Sequence, residues 1–184
     1  MINKFMLFLL FMMISVITEL IPVSAMEIPI KISGTIYIPP CIIEDDASVH
    51  VSFGTLDASK INGNNYSKSK SLNVKCTYTT GKPYIHVSGD SVYYKNQNNV
   101  LKTTGSNSTA LGVALYQGES VDTSYPLNLG AGDQGKYGYE IKKGFSGAGN
   151  NFVFTFTAVP INYSNQALVA GGFNASMVVT ILYK

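Results

Sequence analysis

The side chains of this chain that could do chemistry are few, and their spacing does not bring them together. His50 and His86 are the only histidines and Cys41 and Cys76 the only cysteines, while Asp45 and Asp46 sit in the acidic run "CIIEDDASV". Each histidine falls on the polar side of an alternating run, "VHVSF" or "YIHVSG", where a solvated imidazole is the expected reading. No nucleophile and base share a recognisable motif, so no enzymatic activity is expected. "GAGDQG" at 130–135 carries the letters of a dinucleotide fingerprint, but the strand-like "KYGYEI" follows it where a helix would be needed. "GFSGAGNN" has no Lys-Ser/Thr pair to hold a phosphate, and both stretches read as loops. The acidic pair reads as a loop too, with a calcium site as the weaker alternative, and no cofactor is expected.

Composition removes further classes. The net charge is +2, charged residues make up 13%, and all 13 basic residues are Lys. Without Arg or Trp the chain lacks the usual bidentate reader of phosphates and bases and the strongest stacking anchor, and no nucleic-acid partner is expected. Twelve Tyr could offer stacking surfaces to sugars, yet several fall on core-facing strand positions, which favours structural roles. Asn65, Asn107, Asn162 and Asn174 match a glycosylation pattern that matters only in a eukaryotic secretory route.

The first residues read as an export signal. Lys4 precedes the apolar run "FMLFLLFMMISVIT", and "VSA" at 23–25 offers a cleavage site, so residues 1–25 are expected to be removed, with a retained anchor as the rival reading. What remains, about 160 residues, is one domain's worth of chain. In an oxidising compartment Cys41 and Cys76 most simply form one disulfide; a zinc site is the alternative, although the histidine spacing fits no finger pattern.

The elements that must position these residues read as strands. "VHVSF" places Val49, Val51 and Phe53 on one face, and "LNVKC" does the same for Leu72, Val74 and Cys76. Further runs begin at Tyr84, Ser91, Leu111, Tyr137, Phe152 and Ala175, divided by turn clusters such as "INGNNYSKSKS", "KNQNN" and "TTGSNST". No helix of convincing length is expected, beyond a possible turn in "NYSNQALVAGG". The pattern is that of an all-β sandwich.

Two ends of the chain answer each other. Met177, Val179, Ile181 and Tyr183 form one apolar row, and Val178, Thr180 and Leu182 the other, so this last strand reads as buried on both faces and interior to a sheet. No later strand covers its edge, while an unaccounted one stands at the other end. There Ile28, Ile30, Ile32, Ile36 and Ile38 share a face with Gly34, a position that reads as a shallow pocket's partner or as a simple bulge. Eleven extended residues reach about 36 Å. Pro39 and Pro40 stiffen the exit before Cys41, which favours donation to another molecule in a head-to-tail contact that propagates into a filament.

Over residues 26–184 the sequence resembles the pilin subunits of bacterial chaperone-usher fimbriae. The resemblance rests on the alternating extension with its Gly, "PPC", "VSFG", the second Cys on a strand, a Gly fourteen residues from the end and a penultimate Tyr, here Gly171 and Tyr183. It implies an incomplete immunoglobulin-like β-sandwich over 41–184 that lacks its final strand, preceded by a donor extension at 26–40. Ile32, Gly34, Ile36 and Ile38 would fill successive pockets of a neighbour's groove, Ile32 at the pocket that starts the exchange. Gly171, Met177, Val179, Ile181 and Tyr183 would form the strand that a periplasmic chaperone and then a neighbouring subunit complete. The implied partners are that chaperone, an outer-membrane usher, adjacent fimbrial subunits and, for a minor tip or adaptor subunit, a tip adhesin; the implied location is the cell-surface fimbrium. The alternative within the resemblance is a subunit that itself binds host carbohydrate, as the two-domain tip adhesins do.

Overall fold

The computed structural model describes residues 26–43, 48–132 and 135–184. The expected export signal and the pair Asp45 and Asp46 lie outside the described residues. Two bodies are distinguished, one ending at Ile36 and the other comprising Tyr37–Lys184. In the first, residues 26–36 carry no regular secondary structure and every one is exposed.

Among the described residues of the second body, ten strands form two sheets. They are β1 (Ile42–Ile43), β2 (Lys68–Lys75), β3 (Pro83–Ser88), β4 (Ser91–Tyr94), β5 (Gln97–Lys102), β6 (Leu111–Gln117), β7 (Tyr139–Glu140), β8 (Phe145–Ala148), β9 (Asn151–Asn162) and β10 (Val178–Tyr183). The larger sheet runs β1-β2-β9-β6-β5-β4, with β8 also paired to β9; the smaller runs β10-β3-β7, and all pairings are antiparallel. Among the described residues no helix is long and apolar enough to cross a membrane, and no cluster of three metal-ligating side chains occurs.

The two-residue period explains the layers. Along β9, Phe154, Phe156 and Ala158 point into a core shared with Leu72 and Val74 of β2 and with Ile85, Val87 and Ile181 of the smaller sheet. Alternate residues Val159 and Ile161 point the other way, into a second cluster with Val100, Ala114 and Tyr116 on the outer face. Pro160 is tolerated in this central strand because it lies beyond Ala158, the last residue paired to β2, so its missing N–H falls on an unpaired side. The result is an immunoglobulin-like sandwich whose smaller sheet ends at β10.

Several expectations change. "GFSGAGNN" is not all loop: Phe145–Ala148 is a strand, and Phe145 stacks on Phe152 with ring centroids 5.0 Å apart. "KNQNN" is a turn only at its start, because Lys95 and Asn96 take the left-handed turn conformation and Gln97 already opens β5. No helical turn forms in 162–172. The last strand is not buried on both faces: Ile181 and Tyr183 are buried, but Val178 is 66% exposed, because none of the described residues covers the outside of the smaller sheet there. His86, on that outer face, is half-buried, with an Nδ1 that finds no partner.

Candidate strand-accepting groove

The segment Val49–Phe53 alternates as predicted, with Val49, Val51 and Phe53 packed against the core and Ser48, His50 and Ser52 exposed. Yet it is not a strand of either sheet. Among the described residues no backbone hydrogen bond joins 49–53 to a neighbouring chain segment. Such an extended, half-buried stretch leaves its main-chain groups to water, which a buried strand cannot do without cost.

Facing it stands the segment leading into β10. Asn107 holds this lip from behind, its Nδ2 donating to the Val169 carbonyl at 2.8 Å and its Oδ1 accepting from the Val169 N–H at 2.9 Å. Thr104 donates its N–H to the Asn174 carbonyl at 2.8 Å. Between lip and wall runs a groove of about 1330 Å³, floored by Leu72, Leu101, Val113, Leu115 and Phe156. Phe53 and Phe173 meet across it with ring centroids 6.1 Å apart.

No Lys, Asp or Glu is among the described residues that line the groove. His50, on the exposed side of the wall and paired with Ser48 Oγ at 3.2 Å, is the one titratable side chain among those lining residues, and the chemistry of the groove is that of apolar burial flanked by free main-chain donors and acceptors. That combination suits an extended strand, whose backbone would pair and whose alternate side chains would sink into the floor. β10 supplies one edge: all six of its residues pair with β3, while on its other side, among the described residues, a single main-chain bond is made, from Cys41 N–H to the Ile181 carbonyl at 2.7 Å. Cys41 is itself joined by a disulfide to Cys76, which settles the cysteine pairing.

The residues singled out in the sequence separate into three places. Gly171, Met177 and Val179 line the groove. Ile181 and Tyr183 lie in the core below its end, Tyr183 against Phe145 and Phe152 at 6.4 and 5.9 Å, and burial pushes the Tyr183 phenol above its ordinary pKa. Ile28, Ile30, Ile32, Gly34 and Ile36 are exposed, Ile32 to 91%, and a Cβ on Gly34 would meet nothing within 4 Å. Ile38 is the least exposed of the row, at 38%. Sequence reasoning missed Leu56, Ile61, Asn107 and the 168–170 lip, all of which line the groove. Asn107 was visible only as a glycosylation match, and no local signal marks it as a clamp.

Comparisons with known proteins agree with this architecture. Residues 30–184 match the family model described as fimbrial protein. Over 157 residues the chain is 33% identical to the minor fimbrial protein PrsF and 32% identical to the fimbrial adapter PapF, both of Escherichia coli, covering 85% of this chain and 88% of each relative. A solved structure of the P pilus adaptor subunit PapF superposes with a TM-score of 0.51 at 26% identity, over 80% of this chain and 98% of that one. The P pilus rod subunit PapA, at 18% identity and a TM-score of 0.55 over 79% of this chain and all of its own, shares the fold. The chain belongs to the fimbrial protein family.

Proposed function

We propose that this chain is a minor tip or adaptor subunit of a chaperone-usher fimbria, joined to its neighbours by exchange of strands. The observation that carries the reading is the groove between Val49–Phe53 and the β10 edge, apolar, uncharged and short of backbone partners. An export signal at 1–25, a donor strand at 26–40 and an incomplete sandwich at 41–184 are the parts it assigns. A periplasmic chaperone lends the missing strand, an outer-membrane usher receives the complex, and the extension of another subunit then replaces the lent strand at the cell surface. Ile28, Ile30, Ile32, Gly34, Ile36 and Ile38 form the donated row, and Gly171, Met177 and Val179 the receiving side, with Ile181 and Tyr183 anchoring the strand beneath.

Magnitudes support a durable joint. Each buried Ile contributes roughly 1.5–3 kcal/mol, so five of them, with a ladder of main-chain bonds, give very slow dissociation. The similarity to PrsF and PapF supports the minor or adaptor position, and the reading assigns no catalytic step. Quantitative mass spectrometry of sheared fibres, with immunogold labelling, tests it: a few copies near the tip are expected. A copy number equal to that of the rod subunit overturns the position, and absence from fibres overturns the function.

A further inference from the structure

The lip of the groove, residues 167–176, has no regular secondary structure, and its letters "ALVAGGFNAS" are mostly apolar or small. Such a stretch beside an uncovered apolar floor tends to fall onto it, because burying Leu168 and Val169 there would remove apolar surface from water. Yet Val169 is 57% exposed, and the groove of about 1330 Å³ stays open. Something holds the lip back.

The restraint comes from one loop. Among the described residues, every hydrogen bond made by 167–176 goes to Thr104 or Asn107. The Asn107 side chain, in a residue only 7% exposed, meets Val169 as a neighbouring strand would, donating to its carbonyl and accepting from its N–H. Thr104 gives the Asn174 carbonyl both its N–H at 2.8 Å and its hydroxyl at 3.3 Å. Between these two points lies Gly105, at a φ of +94°, where a Cβ would collide with the Gly172 carbonyl oxygen, so loop and lip approach main chain to main chain. Asn107 stands on a fixed base, since its own carbonyl accepts from the N–H groups of Ala110 and Leu111 at 2.9 and 2.8 Å where β6 begins.

We propose that Asn107 is the positioning residue that holds the lip open in the unfilled subunit and so sets how fast a strand enters. The inference rests on the strand-accepting reading and deepens it. One side-chain amide stands in for the ladder that the lip lacks. Without it the lip is fixed at Asn174 alone, and Leu168 and Val169 can swing into the space that entering side chains need. A strand must then displace the lip before it can bind. Once the strand covers the floor, the lip has nowhere to fall, so the effect lies in entry more than in the finished joint.

The test follows uptake of a labelled synthetic peptide of residues 26–40 by the full exported chain, its groove unfilled, using fluorescence anisotropy. Amide exchange at Val169 and urea unfolding are measured on the same samples. Asn107→Ala is expected to slow uptake by about tenfold or more and to speed Val169 exchange by a similar factor. Asn107→Asp keeps the acceptor for the Val169 N–H and loses the donor, and its rate is expected to fall between those of Asn107→Ala and the parent. Thr103→Val is the control: Thr103 is as buried, its hydroxyl donates to the Leu111 carbonyl at 2.7 Å, and it makes no hydrogen bond to the lip. It is expected to lose comparable stability and yet take up peptide at the parent's rate. Parent-like uptake by both Asn107 variants overturns the inference, as does unchanged exchange at Val169. Equal slowing in Thr103→Val also overturns it, because general loosening then accounts for the effect. Absence of uptake by the parent overturns strand acceptance itself, and it shows before any variant is compared.

Discussion

The backbone N–H of Cys41 donates to the carbonyl of Ile181 at 2.7 Å, and among the described residues this is the one main-chain bond on the side of β10 turned away from β3. It marks where the groove stops. Among the described residues that edge has no main-chain partner from Thr180 back to Met177, and the facing wall at Val49–Phe53 has none either. The disulfide to Cys76 on the far side of Cys41 keeps this end stop from drifting away.

Replacing both Cys41 and Cys76 with Ala is expected to destabilise the protein by about 3–4 kcal/mol, the loop-closure value for a span of this size. The span is 35 residues. Urea unfolding of the variant and of the oxidised parent measures the difference. A change below about 1 kcal/mol counts against the disulfide as the main constraint on this end of the groove.

Amide hydrogen exchange follows the unpaired edges directly. The amides of Val49–Phe53, Met177 and Val179 are expected to exchange fast in the open subunit and to slow by about tenfold or more when a donor strand enters. Protection at β9 is expected to stay as it was, because its bonds to β2, β6 and β8 are already made. Unchanged exchange at Val49–Phe53 after a strand is added shows that the strand sits elsewhere.

Gly34→Leu separates folding from joining. Since a Cβ at Gly34 meets nothing within 4 Å, the variant is expected to fold and to be captured by the chaperone like the parent. Insertion of its extension into a receiving groove is expected to weaken by roughly 1–3 kcal/mol, the usual cost of overpacking, or about tenfold or more in rate or affinity. Normal incorporation of the variant into fibres removes Gly34 from the donated row.

Tyr183 gives a prediction in pH as well as in packing. Its buried phenol has a pKa raised above the unfolded value near 10, so the stability it contributes is fully present below about pH 10 and is lost as pH rises through the raised value. Tyr183→Phe is expected to flatten that alkaline loss in thermal melts. Tyr183→Ser is expected to remove about 3–5 kcal/mol of packing against Phe145 and Phe152, as large-to-small aromatic changes do, and to lower periplasmic yield.

Much of the sandwich was legible because single-face alternation is local. Leu72, Val74 and Cys76, or Phe152, Phe154 and Phe156, announce their strands without reference to any partner. What was not legible depends on distant neighbours. β8 reads as a Gly-rich loop until Phe145 is seen against Phe152 and Tyr183. β5 opens with amides that look like a turn, yet Asn98 and Asn99 donate to the Leu129 and Leu115 carbonyls at 2.8 and 2.9 Å and so tie sheet to loop. The second apolar row of β10 looked buried, but no layer lies over Val178. For the groove, the alternation of Val49–Phe53 was plain, whereas its lack of a ladder partner and the Asn107 clamp arise only from tertiary placement.

The disulfide also has a mechanical consequence. In a fibre assembled head to tail, tension enters each subunit through the covalent chain at Pro39 and Pro40 and leaves through the strand held beside β10. At Cys41 the pull divides, and the stiffer branch crosses straight to Cys76 at the end of β2, whose eight residues are laced to β9. Tension along the covalent chain thus bypasses the intervening stretch, which includes the Val49–Phe53 wall. A stretched subunit is therefore expected to keep its grip on the neighbour's strand, because the wall that helps to hold it is the part that force cannot reel out.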